Sequence, residues 1–124
     1  MRDGKHLILC IDDDPDILFT LRIMLEQEGF AVETAASAED GLRCFRRQAP
    51  DALIVDLMME EVDAGTSLVR DLKALGNVAP VFMLSSAGDN LSMATDYSSL
   101  GLAGVFQKPM SRERLVGMLR AKLG

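Results

Sequence analysis

Hydrophobic positions along this chain fall into two kinds of segment, short continuous apolar runs and longer stretches with helical spacing. Continuous runs of about four to eight apolar residues are typical of strands buried on both faces, and apolar positions three or four residues apart indicate amphipathic helices. The segments HLILCI (6–11) and ALIVD (52–56) are of the first kind. The stretch from Pro15 to Glu28 is of the second kind.

Predicted strands and helices alternate along the whole chain. Asp14 before Pro15 predicts a helix start, and Gly29 predicts the end of that helix. Strands that alternate with helices indicate a parallel sheet covered on both faces. The sequence therefore predicts one doubly wound α/β domain over residues 1–124, with ligands beyond the carboxyl ends of its strands. The predicted strands are 6–11, 31–34, 52–56, 80–85 and 105–107, and the predicted helices are 15–28, 37–48, 65–75, 90–99 and 111–123.

Side chains that can bind a metal or a phosphate follow four of the five predicted strands. Asp12 and Asp13 follow the first strand, Asp56 ends the third, Ser85 follows the fourth and Lys108 follows the fifth. Because the carboxyl ends of parallel strands meet at one edge of a sheet, we expect these groups to converge. Packing alone does not explain three carboxylates, a hydroxyl and an amine at one edge.

The predicted acid cluster requires a positive charge. Two carboxylates about 4–5 Å apart repel by roughly 3–4 kcal/mol at an effective dielectric near 20. Mg²⁺ is the natural counter-charge, since it takes oxygen ligands from one or two carboxylates, water and phosphate. A carboxylate beside a metal and Lys108 can act as a nucleophile, and Ser85 can donate to the incoming phosphoryl group. Two charge-assisted hydrogen bonds give about 3–6 kcal/mol, enough for a conformational switch.

Four segments of the chain resemble the signature segments of receiver domains of two-component response regulators, the family of the chemotaxis protein CheY. They are IDDDPDILFTLRIMLEQEGF, PDALIVDLMMEEVDAG, APVFMLSSAGD and FQKPM, and together they span essentially the whole chain in order. The resemblance implies a flavodoxin-like sheet with strand order 2-1-3-4-5. It also implies a phosphoacceptor signalling domain that is not an enzyme, beyond self-catalysed phosphorylation and dephosphorylation.

The same resemblance implies a role for each residue of the predicted site. Asp56 corresponds to the phosphoacceptor, and Asp13 to the direct Mg²⁺ ligand. Asp12 corresponds to the acid that acts on the metal mainly through water, and the backbone carbonyl of Met58 to the third protein ligand. The two remaining positions are the hydroxyl, at Ser85, and the lysine before a cis proline, at Lys108.

Three positions depart from the family pattern. Glu60 replaces the usual proline four residues after the acceptor, and the turn at 62–65 is one residue longer than usual. Val105 occupies the position of the usual aromatic switch residue. Phe106 is adjacent, but neighbouring residues in a strand point to opposite faces, so Phe106 is not expected to replace it.

Composition limits the partners and the location. The net charge of −6 and the pI near 4.7 argue against direct contact with nucleic acid, because its phosphate backbone binds clustered Lys and Arg side chains. No apolar run approaches the roughly 20 residues that a membrane helix needs. The two cysteines lack a metal-binding or disulfide pattern, and we expect a cytoplasmic protein. The family resemblance implies a sensor histidine kinase or a histidine phosphotransfer protein as donor, and an unnamed downstream protein as target.

Two other functions are compatible with parts of the sequence. An interaction module that does not depend on phosphorylation is favoured by Glu60, the longer turn and Val105. A Mg²⁺-dependent phosphatase is suggested by Asp12 and Asp14, which stand two residues apart after the first strand. Against a phosphatase, the sequence shows no cap domain and no evident substrate pocket.

Overall fold

Five parallel strands form a single sheet in the order β2-β1-β3-β4-β5. The computed structural model describes residues 4–56, 64–85, 102–107 and 111–123, without the side chains of residues 64–67, 85 and 107. The predicted fold class and strand order are therefore confirmed. The strands are β1 (Leu7–Ile11), β2 (Ala31–Ala35), β3 (Ala52–Asp56), β4 (Val81–Ser85) and β5 (Gly104–Gln107).

Four helices lie in the described part of the chain, on both faces of the sheet. Each described element begins and ends within one residue of its predicted boundary. The helix predicted at 90–99 lies outside the described residues. None of the described helices combines the length and the apolar character that crossing a membrane requires. The helices are α1 (Pro15–Gln27), α2 (Ala38–Arg47), α3 (Ala64–Ala74) and α4 (Arg112–Leu123).

Capping residues set the ends of the first two helices. The Asp14 carboxylate accepts a hydrogen bond from the Asp16 amide at 2.9 Å and begins α1. The Ser37 hydroxyl accepts from the Asp40 amide at 3.1 Å and begins α2. Gly29 has a positive φ of 92°, which an L-residue with a side chain adopts at a cost, and it follows the end of α1. Both predicted ends of α1 are thus explained by local chemistry.

The central strands β1 and β3 are buried along their whole length. Alternate residues of these strands face opposite layers, as strand geometry requires. Ile8 and Ile54 pack in the layer that contains α1 and α4. Ile11 and Val55 pack in the layer that contains α2 and α3. Burial on both faces explains why these strands appear in the sequence as apolar runs without polar alternation.

Both cysteines are free thiols, in agreement with the absence of a disulfide pattern. Burial raises the pKa of Cys10 to about 12, so this thiol is protonated and unreactive at neutral pH. Cys44 is half-buried, and burial followed by the charge of Glu33 raises its pKa as well. Neither cysteine is therefore prepared for nucleophilic or metal chemistry.

Helix α2 approaches β1 closely at Gly41. A Cβ at this position would lie 2.6 Å from Cδ1 and 3.1 Å from Cγ1 of Ile11, which is fully buried. Gly117 in α4 is the natural comparison, because a Cβ there would have no heavy atom within 4 Å. Gly41 and Gly117 thus differ in the space available for a side chain. Replacement by alanine raises helix propensity equally at both positions.

We expect Gly41→Ala to destabilise the protein and Gly117→Ala to stabilise it. Alanine gains up to about 1 kcal/mol of helix propensity at either site, but overpacking in a core costs typically about 1–3 kcal/mol. The expected net changes in the free energy of unfolding are a loss of up to about 2 kcal/mol at Gly41 and a gain of about 0.5–1 kcal/mol at Gly117. Urea denaturation measures both. Equal changes of the same sign would contradict the close approach.

Glu28 joins the end of α1 to α4 through two arginines. Its carboxylate accepts from Arg112 at 2.7 Å and from Arg120 at 2.9 Å, and its backbone carbonyl also accepts from Arg120 at 3.1 Å. Arg112 donates further to the side chain of Gln27 at 3.0 Å. The hydrogen bond from Arg112 lowers the pKa of Glu28 from its ordinary value of 4.5, against a smaller opposing effect of burial. We call this group the Glu28 clamp.

We expect Glu28→Gln to lower stability at neutral pH and to matter less in acid. Because the folded-state pKa is depressed, the clamp stabilises the protein above the unfolded-state pKa, and this contribution is lost as pH falls through the folded-state value. Urea midpoints of both proteins at about pH 7 and at about pH 3 test this. Glu26→Gln is the control, since Glu26 is half exposed and 3.9 Å from Arg22. Equal losses in both variants would contradict a specific clamp.

Candidate metal centre

The first predicted acids are fixed by the turn between β1 and α1. The Asp12 amide donates to the carbonyl of Ala35 in β2 at 3.1 Å. One Asp12 carboxylate oxygen accepts from the Asp14 amide at 2.9 Å, which makes an Asx turn. Asp12 is completely buried, and Asp13 next to it is exposed. The turn therefore holds one carboxylate inside the sheet edge and presents the other to solvent.

Strand register brings Asp56 to the same level of the sheet. Ile11 is in register with Val55, so the residues that follow these two strand positions lie side by side at the carboxyl edge. Asp56 is the last residue of β3 and is only 4% exposed. The edge between β1 and β3 is also the switch point of the topology, because β2 lies on one side of β1 and β3 on the other. Ligands in open α/β sheets bind at such a point.

The three carboxylates form one cluster. Asp12, Asp13 and Asp56 each offer an oxygen that lies within 4.8 Å of the others. At this separation like charges repel by about 3–4 kcal/mol per pair at an effective dielectric near 20. The donors are all carboxylate oxygens, which suits a hard divalent cation. The residues present therefore fit Mg²⁺, and the exposed Asp13 leaves that side open to water and phosphate.

The remaining predicted residues lie beyond this cluster or outside the described residues. Leu84 is in register with Asp56, so the backbone of Ser85 lies one position further along the same carboxyl edge. Nothing is described of the Ser85 side chain. Met58 and Lys108 lie outside the described residues, and their roles stay predictions.

The structure describes some of the positions at which the sequence departs from the family pattern. Glu60 and the cis peptide bond predicted at Pro109 fall outside the described residues. Of the turn at 62–65, the first two residues also fall outside, and Ala64 and Gly65 already belong to α3. The backbone of α3 thus begins one residue earlier than predicted.

Val105 and Phe106 face opposite sides of β5, as predicted. Val105 is 43% exposed. Phe106 is buried, and its ring centroid lies 5.8 Å from that of Phe82 at an angle of 37°. Tilted aromatic pairs at this distance add to the stability of a core. Phe106 is therefore a core residue, and β5 presents no exposed aromatic side chain within its described positions 104–106.

The Asp14 amide has a structural role that the sequence pattern did not predict. Asp14 is predicted only as the cap of α1, yet its N–H also orients the carboxylate of Asp12. Asp14 in turn accepts from Asp16, so two consecutive Asx turns lead from the acid cluster into the helix. Aspartates at every second position before and inside a helix start are the signal that could have indicated this arrangement.

The fold and this acid cluster define a doubly wound α/β domain with a candidate cation site at its topological switch point. A family profile described as the response regulator receiver domain matches residues 8–120. This chain therefore belongs to the response regulator receiver domain family. Receiver domains are signalling domains, and phosphorylation and Mg²⁺ are typical of the family.

Individual relatives agree with this assignment. The chain is 35% identical to the response regulator protein TodT of Pseudomonas putida, over 99% of this chain and 53% of TodT. It is 34% identical to the response regulator MprA of Mycobacterium leprae, over 94% of this chain and 50% of MprA. A CheY-like receiver domain structure from Methanospirillum hungatei superposes with a TM-score of 0.88 at 26% identity, covering 97% of this chain and 94% of that one. The chain thus spans about half the length of these two curated relatives.

Proposed function

We propose that this receiver domain is a phosphoacceptor switch of a two-component phosphorelay and that Asp56 takes the phosphoryl group in a Mg²⁺-dependent reaction. The observation that carries the proposal is the gathering of Asp12, Asp13 and Asp56 within 4.8 Å at the switch point. Such a cluster is costly unless a cation lies among the carboxylates, and that cation can then also bind the oxygens of an incoming phosphoryl group. Membership of the receiver family supports the same conclusion.

The proposed reaction moves one phosphoryl group between two proteins. An Asp56 carboxylate oxygen forms a bond to phosphorus while the bond from phosphorus to the donor histidine nitrogen breaks. The electron pair of the broken bond stays on that nitrogen, and the proton that the other ring nitrogen carries makes the released histidine a neutral imidazole. Bound Mg²⁺, held by Asp13, Asp56 and the Met58 carbonyl and by Asp12 through water, would neutralise charge on the phosphoryl oxygens.

Two further side chains are proposed to hold the phosphoryl group. We assign Lys108 as the fixed cation that pairs with a phosphoryl oxygen, and Ser85 as the hydroxyl donor. The backbone of Ser85 lies on the carboxyl edge one position beyond the level of Asp56, which supports its assignment. Each charge-assisted hydrogen bond contributes about 1.5–3 kcal/mol, so two of them can shift a conformational equilibrium.

The proposed donor is a sensor histidine kinase or a histidine phosphotransfer protein. Phe19 and Ile23 support a protein partner that contacts α1, the helix that follows Asp12 and Asp13, since they lie one turn apart and are 65% and 41% exposed. We also propose a downstream protein target and no direct contact of this domain with nucleic acid or membrane. TodT and MprA are named response regulators, but this chain spans only about half of each. The activities of the whole relatives are therefore not assigned to this chain.

We further propose that residues 1–124 act as one receiver domain in the cytoplasm. The family profile covers residues 8–120, and the described sheet and helices reach from residue 7 to residue 123. One layer of the core joins residues from Ile8 to Leu119, and the other joins residues from Leu9 to Met83. Both layers therefore combine elements that are distant in the sequence, as expected of a single domain.

Beryllofluoride with Mg²⁺ tests the switch, because it imitates a phosphoryl group on a carboxylate. We expect changes in the amide NMR spectrum at the ends of β1 and β3 and further changes in β4 and β5. No change in β4 and β5 would instead support an interaction module that does not respond to phosphorylation. Sustained turnover of a phosphomonoester would support the phosphatase. Asp56→Asn protein under the same conditions is the control for non-specific effects of the reagents.

A further inference from the structure

A second concave surface lies at the amino-terminal edge of the sheet, opposite to the acid cluster. It is a cavity of about 420 Å³ where β4 and β5 begin, between α3 and the end of α4. Its floor includes Val69, Val81 and Leu102, and its lining includes Lys73 and Lys122. We call it the amino-edge groove. No step of the proposed phosphoryl transfer uses it.

The turn beside the groove is braced by side-chain hydrogen bonds and presents apolar side chains to solvent. The Asn77 side chain accepts from the Ala79 amide at 3.1 Å and donates to the Ala79 carbonyl at 3.1 Å. Gly76 supplies the positive φ of 93° that begins this turn. Val78, which lines the groove, is 99% exposed, and Leu75 is 44% exposed. Valine is β-branched and has few χ1 rotamers, so its side chain loses little entropy when a partner covers it.

The lining residues of the groove that the structure describes carry positive charge, opposite to the net charge of the whole protein. Lys73 and Lys122 are lysines from two different helices that line the same cavity, and both are exposed. Neither lysine forms an ion pair within the described part of the chain, whereas Arg112 and Arg120 are both engaged by Glu28. The chain as a whole carries a net charge of −6. A local pair of cations above an apolar floor selects a ligand with carboxylates around an apolar group.

We propose that the amino-edge groove binds an acidic peptide segment of a partner protein. An apolar side chain of the peptide would pack on Val69, Val81 and Leu102, and flanking carboxylates would pair with Lys73 and Lys122. A peptide explains the surface better than a small carboxylic acid, because the exposed apolar surface continues along the turn to Leu75. Nucleic acid is a poor candidate ligand for the groove, since two lysines do not provide the dense positive surface that binds a phosphate backbone.

An NMR titration with a defined peptide tests the proposal. The probe is the acetylated and amidated pentapeptide EELEE, added to the isotope-labelled full chain. We expect saturable amide shifts confined to the end of α3, the turn at 75–80, the start of β5 and the end of α4. We expect Lys73→Glu to weaken binding by about tenfold, because one surface ion pair is lost and replaced by repulsion. Both lysines are exposed, so folding of the variants is not expected to suffer.

Matched controls separate specific binding from general charge effects. Arg46→Glu changes the net charge by the same amount at an exposed position on α2, and we expect it to alter the affinity less than twofold. EEGEE tests the apolar contact and should bind more weakly than EELEE. The proposal is overturned if EELEE causes no shifts at millimolar concentration, if KKLKK binds equally well, or if Lys73→Glu and Arg46→Glu have the same effect. Asp56→Asn protein should bind EELEE unchanged, which separates this proposal from the phosphoryl chemistry.

Discussion

Asp56→Asn protein is expected to incorporate no acid-labile phosphate from acetyl phosphate. The substitution keeps the shape of the side chain and replaces the nucleophilic carboxylate by a neutral amide. Asp56 is 4% exposed at the end of β3, and the two other acids of the cluster follow β1, so no equivalent carboxylate takes its position. We expect the labelling rate to fall by at least about a thousandfold, which corresponds to about 4 kcal/mol in the barrier. Intact-mass spectrometry measures the added phosphoryl group.

Two controls protect this result against trivial explanations. Asp14→Asn removes one charge near the cluster but keeps the cap of α1, because asparagine is an equally good capping residue. We expect this variant to be labelled. Thermal denaturation should show Asp56→Asn folded, since removing one of three clustered negative charges relieves repulsion. Labelling of folded Asp56→Asn at the normal rate would show that another residue is the acceptor.

Much of the fold was predictable because its signals are local. The burial of β1 and β3 on both faces requires continuous apolar residues, and such runs are visible without any structure. Asp14, Ser37 and Gly29 mark helix ends through interactions within a few residues. The meeting of Asp12, Asp13 and Asp56 was also predictable, because parallel strands that alternate with helices place their carboxyl ends at one edge.

Other features were not predictable because they join residues that are distant in the sequence. Glu28 and Arg112 are 84 residues apart, and nothing in the local pattern indicates that the end of α1 meets the start of α4. The contact of Gly41 with Ile11 depends on the distance between one helix and one strand. The amino-edge groove likewise depends on how α3 and α4 meet the sheet. Such details are decided by packing, which the pattern of apolar positions does not specify.

The exposed side of β5 bears on how a phosphorylation signal would leave the site. The side chain of Val105 is short, β-branched and stiff at χ1, and a phenylalanine stands in the core on the opposite face. Because residue 105 is a valine, no aromatic ring can rotate at this position. If the proposed switch operates, its response has to be transmitted by backbone and loop movements rather than by an aromatic rotation at residue 105. The beryllofluoride spectrum would show this as amide shifts in β4 and β5.

Asp13→Asn is expected to weaken Mg²⁺ binding by about 100-fold, or roughly 2.8 kcal/mol. Asp13 is the exposed member of the acid cluster, and its carboxylate oxygen lies within 4.8 Å of those of Asp12 and Asp56. A neutral amide removes a full negative charge next to the proposed cation, and the two buried acids that remain leave its solvent side without a charged ligand. Phosphorylation from acetyl phosphate at low Mg²⁺ should slow by a similar factor and recover partly when Mg²⁺ is raised.

Calorimetry or amide NMR shifts provide the Mg²⁺ affinity, since the chain contains no tryptophan for a fluorescence measurement. Asp16→Asn is the matched control, because Asp16 is also an exposed acid of the same segment but lies in the first turn of α1 outside the cluster. Simple loss of a surface charge should weaken Mg²⁺ by less than about twofold in this variant. Equal weakening in both variants would mean that Mg²⁺ senses only the overall negative charge. A large difference between them would place the cation among the three carboxylates, where its charge compensates their repulsion.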